Sequence, residues 1–372
     1  MPKFIHVVGA RPNFMKIAPL ISALSSAAKA RNITFEQKLI HTGQHYTPEM
    51  SALMFEQLDL PQPDYNLEVG SGSHGQQTGR IMEAFEKILT AEKPDLVIVV
   101  GDVNSTIACA LDARKMNIPV AHVEAGLRSF DREMPEEINR ILTDAISDYL
   151  FTTEESARMH LIAEGIDPAR IHFVGNTMID TLLKHQHAAK SRPVLQELNL
   201  IANNSIKPYG IVTLHRPSNV DNRTVLADIL QSLLEVSKTL PLILPLHPRT
   251  RSNIEKFELN GILNDGQFTV IEPQGYLDFL CLLANAKMVL SDSGGIQEEA
   301  TVLGVPCLTL RENTERPVTL TEGTNILVGN KPANIIPAFE RAMTNSTSGK
   351  IPKYWDGKAA ERIAQVLFDD FN

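Results

Sequence analysis

Cysteine is scarce in this chain. Cys109, Cys281 and Cys307 are the only three in 372 residues, odd in number, far apart and set among apolar neighbours. Such a set reads as three buried thiols in a reducing compartment rather than as a disulfide framework. Basic charge is not in excess either. Lys and Arg number 35 against 44 Asp and Glu, for a formal net charge of −9 and a sequence pI near 5.7. A phosphate backbone demands a basic face, so no nucleic acid is expected as the main partner. An acidic protein still binds nucleotides through a few placed arginines and helix starts. No apolar run reaches membrane-spanning length, which speaks against a membrane partner. The first residues pass directly into a strand pattern, Phe4-Ile5-His6-Val7-Val8, with no signal-peptide layout. A soluble cytoplasmic protein is expected. Histidines and acids nowhere fall at tight metal-motif spacing, so no required metal is expected. Repeats of solenoid length and low-complexity tracts are also missing.

What the chain does have is alternation. Short apolar runs occur at residues 4–8, 37–41, 96–100, 119–123, 149–152 and 171–174, and again at 210–214, 242–245, 268–271, 288–291 and 306–310. Segments of helical periodicity, such as 79–90, 224–238 and 276–284, lie between them. Strand–helix alternation twice over predicts an α/β protein with two parallel, doubly wound sheets. The hydrophobic fraction of 43% is ample for two cores. The polar stretch 196–207 reads as the join. It places an N-terminal Rossmann-like domain over 1–195 and a second over 205–356, with a C-terminal helix at 357–372 that could pack back on the first.

The most informative motif is Ser291-Asp292-Ser293-Gly294-Gly295-Ile296-Gln297-Glu298-Glu299-Ala300. An apolar run breaks into a Ser-Gly-Gly turn and a helix-like segment follows. A helix start offers unpaired N–H groups and partial positive charge to a phosphate, and glycines let the anion approach. Carboxylates within the next turn could accept from a ribose diol. The plain alternative is an ordinary capped helix start.

In open parallel sheets, ligands sit beyond the carboxyl ends of the strands. The unusual polar residues cluster there. Arg11, beside Pro12, could clamp a phosphate, and Lys16 could add charge; either could instead be a solvated surface cation. Asp102 reads as an acid or base, or as the cap of the next helix. Glu124 sits directly after an apolar strand, where burial would raise its pKa toward a useful range; the alternative is a salt bridge to Arg128. Glu136 lies in the first turn of a helix that begins at Pro135, where acids are ordinary dipole partners; Arg140 closes that motif. In the second half His215, Arg216 and His247 take the corresponding positions. Two sheets facing one another would bring these ends to one cleft. Gly70-Ser71-Gly72-Ser73-His74-Gly75 matches the dinucleotide pattern G-x-G-x-x-G, yet the residues before it make a poor buried strand. A flexible loop, or a lid, is the better reading.

Taken in order, Gly9-Ala10-Arg11-Pro12-Asn13-Phe14-Met15-Lys16, His122-Val123-Glu124-Ala125-Gly126-Leu127-Arg128, Pro135-Glu136-Glu137-Ile138-Asn139-Arg140, His215-Arg216, the Ser291–Glu299 motif and Glu315-Arg316-Pro317 resemble the non-hydrolysing bacterial UDP-N-acetylglucosamine 2-epimerases, over nearly the whole length. The resemblance implies a glycosyltransferase-B-like architecture of two Rossmann-like domains facing a central cleft. It implies an isomerase that interconverts UDP-GlcNAc and UDP-ManNAc for surface polysaccharide synthesis, without cofactor, as a homodimer. It places Asp102, Glu124 and Glu136 on the catalytic carboxylates and His215 on the active-site histidine. Arg11 and Lys16 fall near sugar and phosphates, Ser293, Gly294 and Gly295 on the diphosphate turn, Glu299 on the ribose and Phe279 near the uracil. Arg140, Arg216, His247 and Arg316 are further substrate-binding candidates. The motif departs from many members at Ala10 and Asn13, and Pro217 stands where several carry a second arginine. Some members bind a second UDP-GlcNAc as activator; Gln44 and His45 fall in that region, but the loop 71–77 lacks a basic residue such a site would use. Rival readings are an epimerase of a related UDP-sugar, such as a diacetamido-uronic acid, a hydrolysing epimerase, and a glycosyltransferase of the same fold.

Overall fold

The interior strand Leu96–Val100 reads Leu-Val-Ile-Val-Val, and all five residues are buried. A strand apolar on both faces belongs inside a parallel sheet covered by helices on each side. In a computed structural model of the chain, which describes residues 1–43, 48–344 and 349–371, that is its setting. Two compact units result, Met1–Lys184 with Lys353–Asn372, and His185–Pro352.

The first unit carries seven parallel strands: β1 (Lys3–Val8), β2 (Glu36–His41), β3 (Tyr65–Asn66), β4 (Leu96–Val100), β5 (Val120–Ala125), β6 (Tyr149–Thr152) and β7 (Ile171–Phe173). Their order is β3-β2-β1-β4-β5-β6-β7, so the winding reverses between β1 and β4. Ile5, Val7, Val97, Val99 and Val120 pack against Ile81, Phe85, Leu89 and the helix residues Ala108, Cys109, Ala110 and Ala113.

The C-terminal helix Ala359–Asp370 belongs to this unit. Phe368 and Phe371 pack on Phe4, with ring centroids 6.1 and 5.1 Å away. Asp180 accepts from the amides of Ala359 and Ala360 at 3.1 and 2.7 Å, and Trp355 donates to the Thr153 carbonyl at 3.0 Å.

The second unit includes a small antiparallel hairpin, β8 (Ile201–Ala202) and β9 (Ser205–Ile206), turned by Asn203 and Asn204 at φ of 51° and 59°. Two left-handed residues make the turn type whose twist suits a two-residue hairpin. The polar stretch expected as the join is therefore folded within this unit, and the division falls earlier, inside the helix Thr177–Lys190. Six parallel strands follow: β10 (Gly210–Thr213), β11 (Leu242–Pro245), β12 (Phe268–Ile271), β13 (Met288–Ser291), β14 (Cys307–Thr309) and β15 (Asn325–Leu327), ordered β12-β11-β10-β13-β14-β15. This winding reverses between β10 and β13. All three cysteines are buried free thiols.

Candidate active site

Each reversal opens a crevice at the carboxyl ends of two neighbouring strands. In the first unit these are β1 and β4. Asn13, in the helix Arg11–Arg31 that follows β1, accepts from the amides of Gly9 and Ala10 at 3.1 and 2.9 Å and donates to the Val100 carbonyl at 3.1 Å. One side chain thus ties the two strand ends together. One turn on, Lys16 turns inward, and its Nζ lies 2.6 Å from Glu124 Oε1, both side chains at most 5% exposed.

Glu124 is not beyond its strand, as the apolar pattern predicts, but within β5. The register with β6 slips between Val123 and Ala125, and Glu124 has φ of 76°. A non-glycine residue held in the left-handed region costs about 1–3 kcal/mol, and such strain gathers at functional sites. The alternative partner, Arg128, is engaged elsewhere: its guanidinium meets Asp144 Oδ2 at 2.7 Å and both Glu164 oxygens.

Gly101 completes this corner. Its φ is 68°, and a Cβ there would lie 3.0 Å from Lys16 Nζ. Its carbonyl meets His122 Nε2 at 2.7 Å, while His122 Nδ1 faces Asp144 at 2.7 Å. Burial pushes the Asp144 carboxyl upward, but His122 and Arg128 outweigh it and hold the pKa below the ordinary value.

Asp102 lies two residues before the next helix. That helix, Asn104–Lys115, begins after Val103, and the Asp102 carboxylate takes Arg140 Nη1 at 2.5 Å. Arg140 is buried and also grips Glu137, with Nη2 at 2.6 Å from Oε2. Glu137 accepts the amides of Ser129 and Phe130 at 3.0 and 2.9 Å. Burial raises its pKa less than these donors and Arg140 lower it. Glu136, one residue earlier in the helix Pro135–Ile146, is half-buried. Asp102, Glu124, Lys16 and Arg140 thus stand at the ends of β4 and β5 or on the elements packed there. Arg11 opens its helix, and its side chain lies outside the described part; Gln44 and His45 lie outside the described residues.

In the second unit Asp292, wholly buried, stitches the end of β13 to that of β10. It accepts the amides of His215 and Arg216 at 3.0 and 2.9 Å and Asn219 Nδ2 at 3.2 Å, and its Oδ1 faces His215 Nδ1 at 2.8 Å. Burial raises the Asp292 carboxyl, yet His215 and the two amides more than reverse that, so its pKa is lowered. A ring held through Nδ1 leaves Nε2 as the nitrogen for other partners. His247 caps the helix Pro248–Lys256, and its ring centroid is 5.8 Å from that of His215. Burial and the neighbouring His215 lower the His247 pKa.

Ser293 is the N-cap of the helix Gly294–Leu303, and its side chain makes no cap bond. Glu299 is buried on that helix, while Gln297 accepts from Thr314 at 2.6 Å and Asn325 at 3.0 Å. Arg316 is buried with its Nε 2.6 Å from Glu298, and Phe279 is half-buried on the helix Tyr276–Asn285. Asp292, Glu298 and Glu315 were not singled out from sequence. Asp292 stands inside the leading motif, where the glycines draw attention away from it.

The G-x-G-x-x-G segment runs into the helix His74–Glu92, whose start Ser73 caps by accepting from Gln76. The strand that precedes it is the two-residue β3 at the sheet edge. Among the described residues, no group of three or more His, Cys, Asp or Glu side chains is placed to hold a metal ion.

Two Rossmann-type parallel sheets, each with its charged groups at the reversal, define an α/β protein of glycosyltransferase-B-like class. Residues 27–368 match the family model described as UDP-N-acetylglucosamine 2-epimerase. The chain is 46% identical over 369 residues to the UDP-N-acetylglucosamine 2-epimerase of Methanocaldococcus jannaschii, covering 98% of each. It is 40% identical over 368 residues to the UDP-2,3-diacetamido-2,3-dideoxy-D-glucuronate 2-epimerase of Pseudomonas aeruginosa, covering 98% of this chain and 99% of the relative. The crystal structure of the M. jannaschii UDP-GlcNAc 2-epimerase in complex with UDP-GlcNAc and UDP is similar at a TM-score of 0.90 and 44% identity, over 99% of each chain. That of the Neisseria meningitidis UDP-GlcNAc 2-epimerase bound to UDP-GlcNAc gives 0.88 at 33% identity, over 99% of this chain and 100% of the other. The chain belongs to the UDP-N-acetylglucosamine 2-epimerase family. Archaeal relatives stand among the matches, so the family is not confined to bacteria.

Proposed function

We propose that this chain interconverts UDP-GlcNAc and UDP-ManNAc without hydrolysing them. The proton on the second sugar carbon is not acidic, because no carbonyl adjoins it on the ring. Breaking the bond from the anomeric carbon to the diphosphate oxygen acidifies it. The electron pair leaves on UDP, a carboxylate takes the proton, and 2-acetamidoglucal remains. Re-addition of UDP with a proton delivered to the opposite face gives the epimer. Asp102, Glu124 and Glu136 are the groups assigned to proton removal and return. The helix start at Ser293–Gly295, with His215, Arg11 and Arg216, stabilises the departing diphosphate. Lys16 and Arg140 hold two of the carboxylates in place, and Glu299 takes the ribose. The reading requires both sets of groups to act on one substrate molecule, with water kept from the glucal.

One observation carries it: Glu124, a buried carboxylate held in left-handed backbone at the end of β5, paired with Lys16. A second substrate, a UDP-diacetamido-uronic acid, is favoured by the relative from P. aeruginosa at 40% identity. The reading brings with it a cytoplasmic homodimer that serves surface polysaccharide synthesis. The test is incubation of purified protein with either UDP-sugar alone, followed by chromatography. A mixture of the two 2-epimers is expected; free ManNAc with UDP indicates hydrolysis, and no change without an acceptor indicates a transferase.

A further inference from the structure

Five charged side chains surround the start of the helix Gly294–Leu303. Arg311 Nη2 lies 2.7 Å from Glu315 Oε2, and Arg316 Nε lies 2.6 Å from Glu298 Oε1. Glu315 Oε1 also lies 3.9 Å from Arg316 Nη1 and 3.8 Å from Arg216 Nη2. Of the three arginines, Arg216 is the most open to solvent. Its side chain is 21% exposed, against 5% for Arg316 and 6% for Arg311, and its contact with Glu315 is long. Its amide, held by Asp292, fixes it beside the end of β13 that runs into this helix.

Gly294 shows how close Glu315 comes. A Cβ at Gly294 would lie 2.7 Å from Glu315 Oε1 and 3.8 Å from the Arg316 guanidinium carbon. A side chain at the helix's first residue would push the Glu315 carboxylate aside. That carboxylate shares the positive end of the helix and the Arg216 guanidinium with whatever anion binds the turn.

We propose that Glu315 is a resident counter-ion that tempers the grip on the substrate's diphosphate. This rests on the diphosphate reading of the Ser293–Gly295 turn. Glu315 keeps the arginines apart and pre-arranged while the turn is empty, and opposes the bound anion by like charge. A nucleotide that must be held through the glucal stage and then released gains from such tempering. Glu315 is a positioning residue and makes no bond to the reacting atoms.

The test is calorimetric titration of UDP into wild type, Glu315→Gln and Glu315→Asp, with steady-state kinetics on each. Glu315→Gln keeps the shape and removes the charge. Its UDP dissociation constant is expected to fall about fivefold, with KM and kcat falling together. Glu315→Asp draws the charge back by one methylene and is expected to tighten UDP binding by a smaller factor. Lost packing or lost order weakens binding, so the direction separates the two roles. Weaker or unchanged UDP binding in Glu315→Gln overturns the proposal. Should that variant not fold, weaker or unchanged binding in Glu315→Asp overturns it. Failure of wild type to bind UDP at all would instead remove the diphosphate reading itself.

Discussion

Lys16 Nζ stands 2.6 Å from Glu124 Oε1 in a setting where both side chains are almost entirely shielded from water. A buried ion pair of this kind is weak evidence for stability, since desolvation offsets much of the attraction. Its position is more telling. The pair lies where β5 leaves its regular register, against Gly101 at the end of β4. The expected outcome for Glu124→Gln is a fall in turnover of about 10²–10⁴-fold. The variant also leaves the Lys16 ammonium facing a neutral amide, at a cost of about 3 kcal/mol. Turnover is therefore measured well below the melting transition. Near-normal turnover there removes Glu124 from the chemistry.

Gly101 supplies a second check, this time on geometry. Alanine at φ of 68° costs about 1–2 kcal/mol, and its methyl would press on Lys16 Nζ from 3.0 Å. Displacing the pair is expected to lower kcat about tenfold to a hundredfold with little change in KM. A rise in KM alone would show that the corner binds substrate and does not position the acid.

For Glu299, the reading assigns ribose contact. Glu299→Ala is expected to weaken UDP binding about tenfold, because a charge-assisted hydrogen bond is lost. Calorimetry with UDP measures this. A pure turnover defect with unchanged affinity contradicts the ribose role.

Asp180 links the C-terminal helix to pH. Burial pushes its carboxyl up to about 6, against the two amides it accepts and Arg362. A carboxyl whose native pKa exceeds its ordinary 3.8 holds its proton more tightly in the folded state. Its contribution to stability is full below pH 3.8 and is lost as pH rises through about 6. Asparagine does not titrate. The stability of Asp180→Asn relative to wild type is thus expected to increase from pH 4 to pH 7 and then level off, measured by thermal melts across that range. A difference independent of pH contradicts the assignment.

Much of this was legible in the sequence, for a physical reason. Buried parallel strands must be apolar on both faces, so runs such as 96–100 announce themselves, and ligand groups must follow them. What sequence missed lay in tertiary pairing. Glu124 and Arg128 have the spacing of a helical ion pair, but a strand bulge sends Glu124 to Lys16, 108 residues away. Asp102 stands where a cap stands, yet Arg140 reaches it from another helix. The edge strands β3 and β15, of two and three residues, are too short for periodicity to register. Asn203-Asn204 carried a turn signal that the surrounding polarity disguised as a linker.

Proton exchange at the second sugar carbon is the step on which the whole reading turns. Purified protein incubated with UDP-GlcNAc in deuterated water and followed by NMR examines it without mutation. Deuterium entering that carbon as UDP-ManNAc accumulates is the expected result, with incorporation keeping pace with epimer formation. UDP-ManNAc that forms with its original hydrogen retained would contradict removal and return of the proton by these carboxylates.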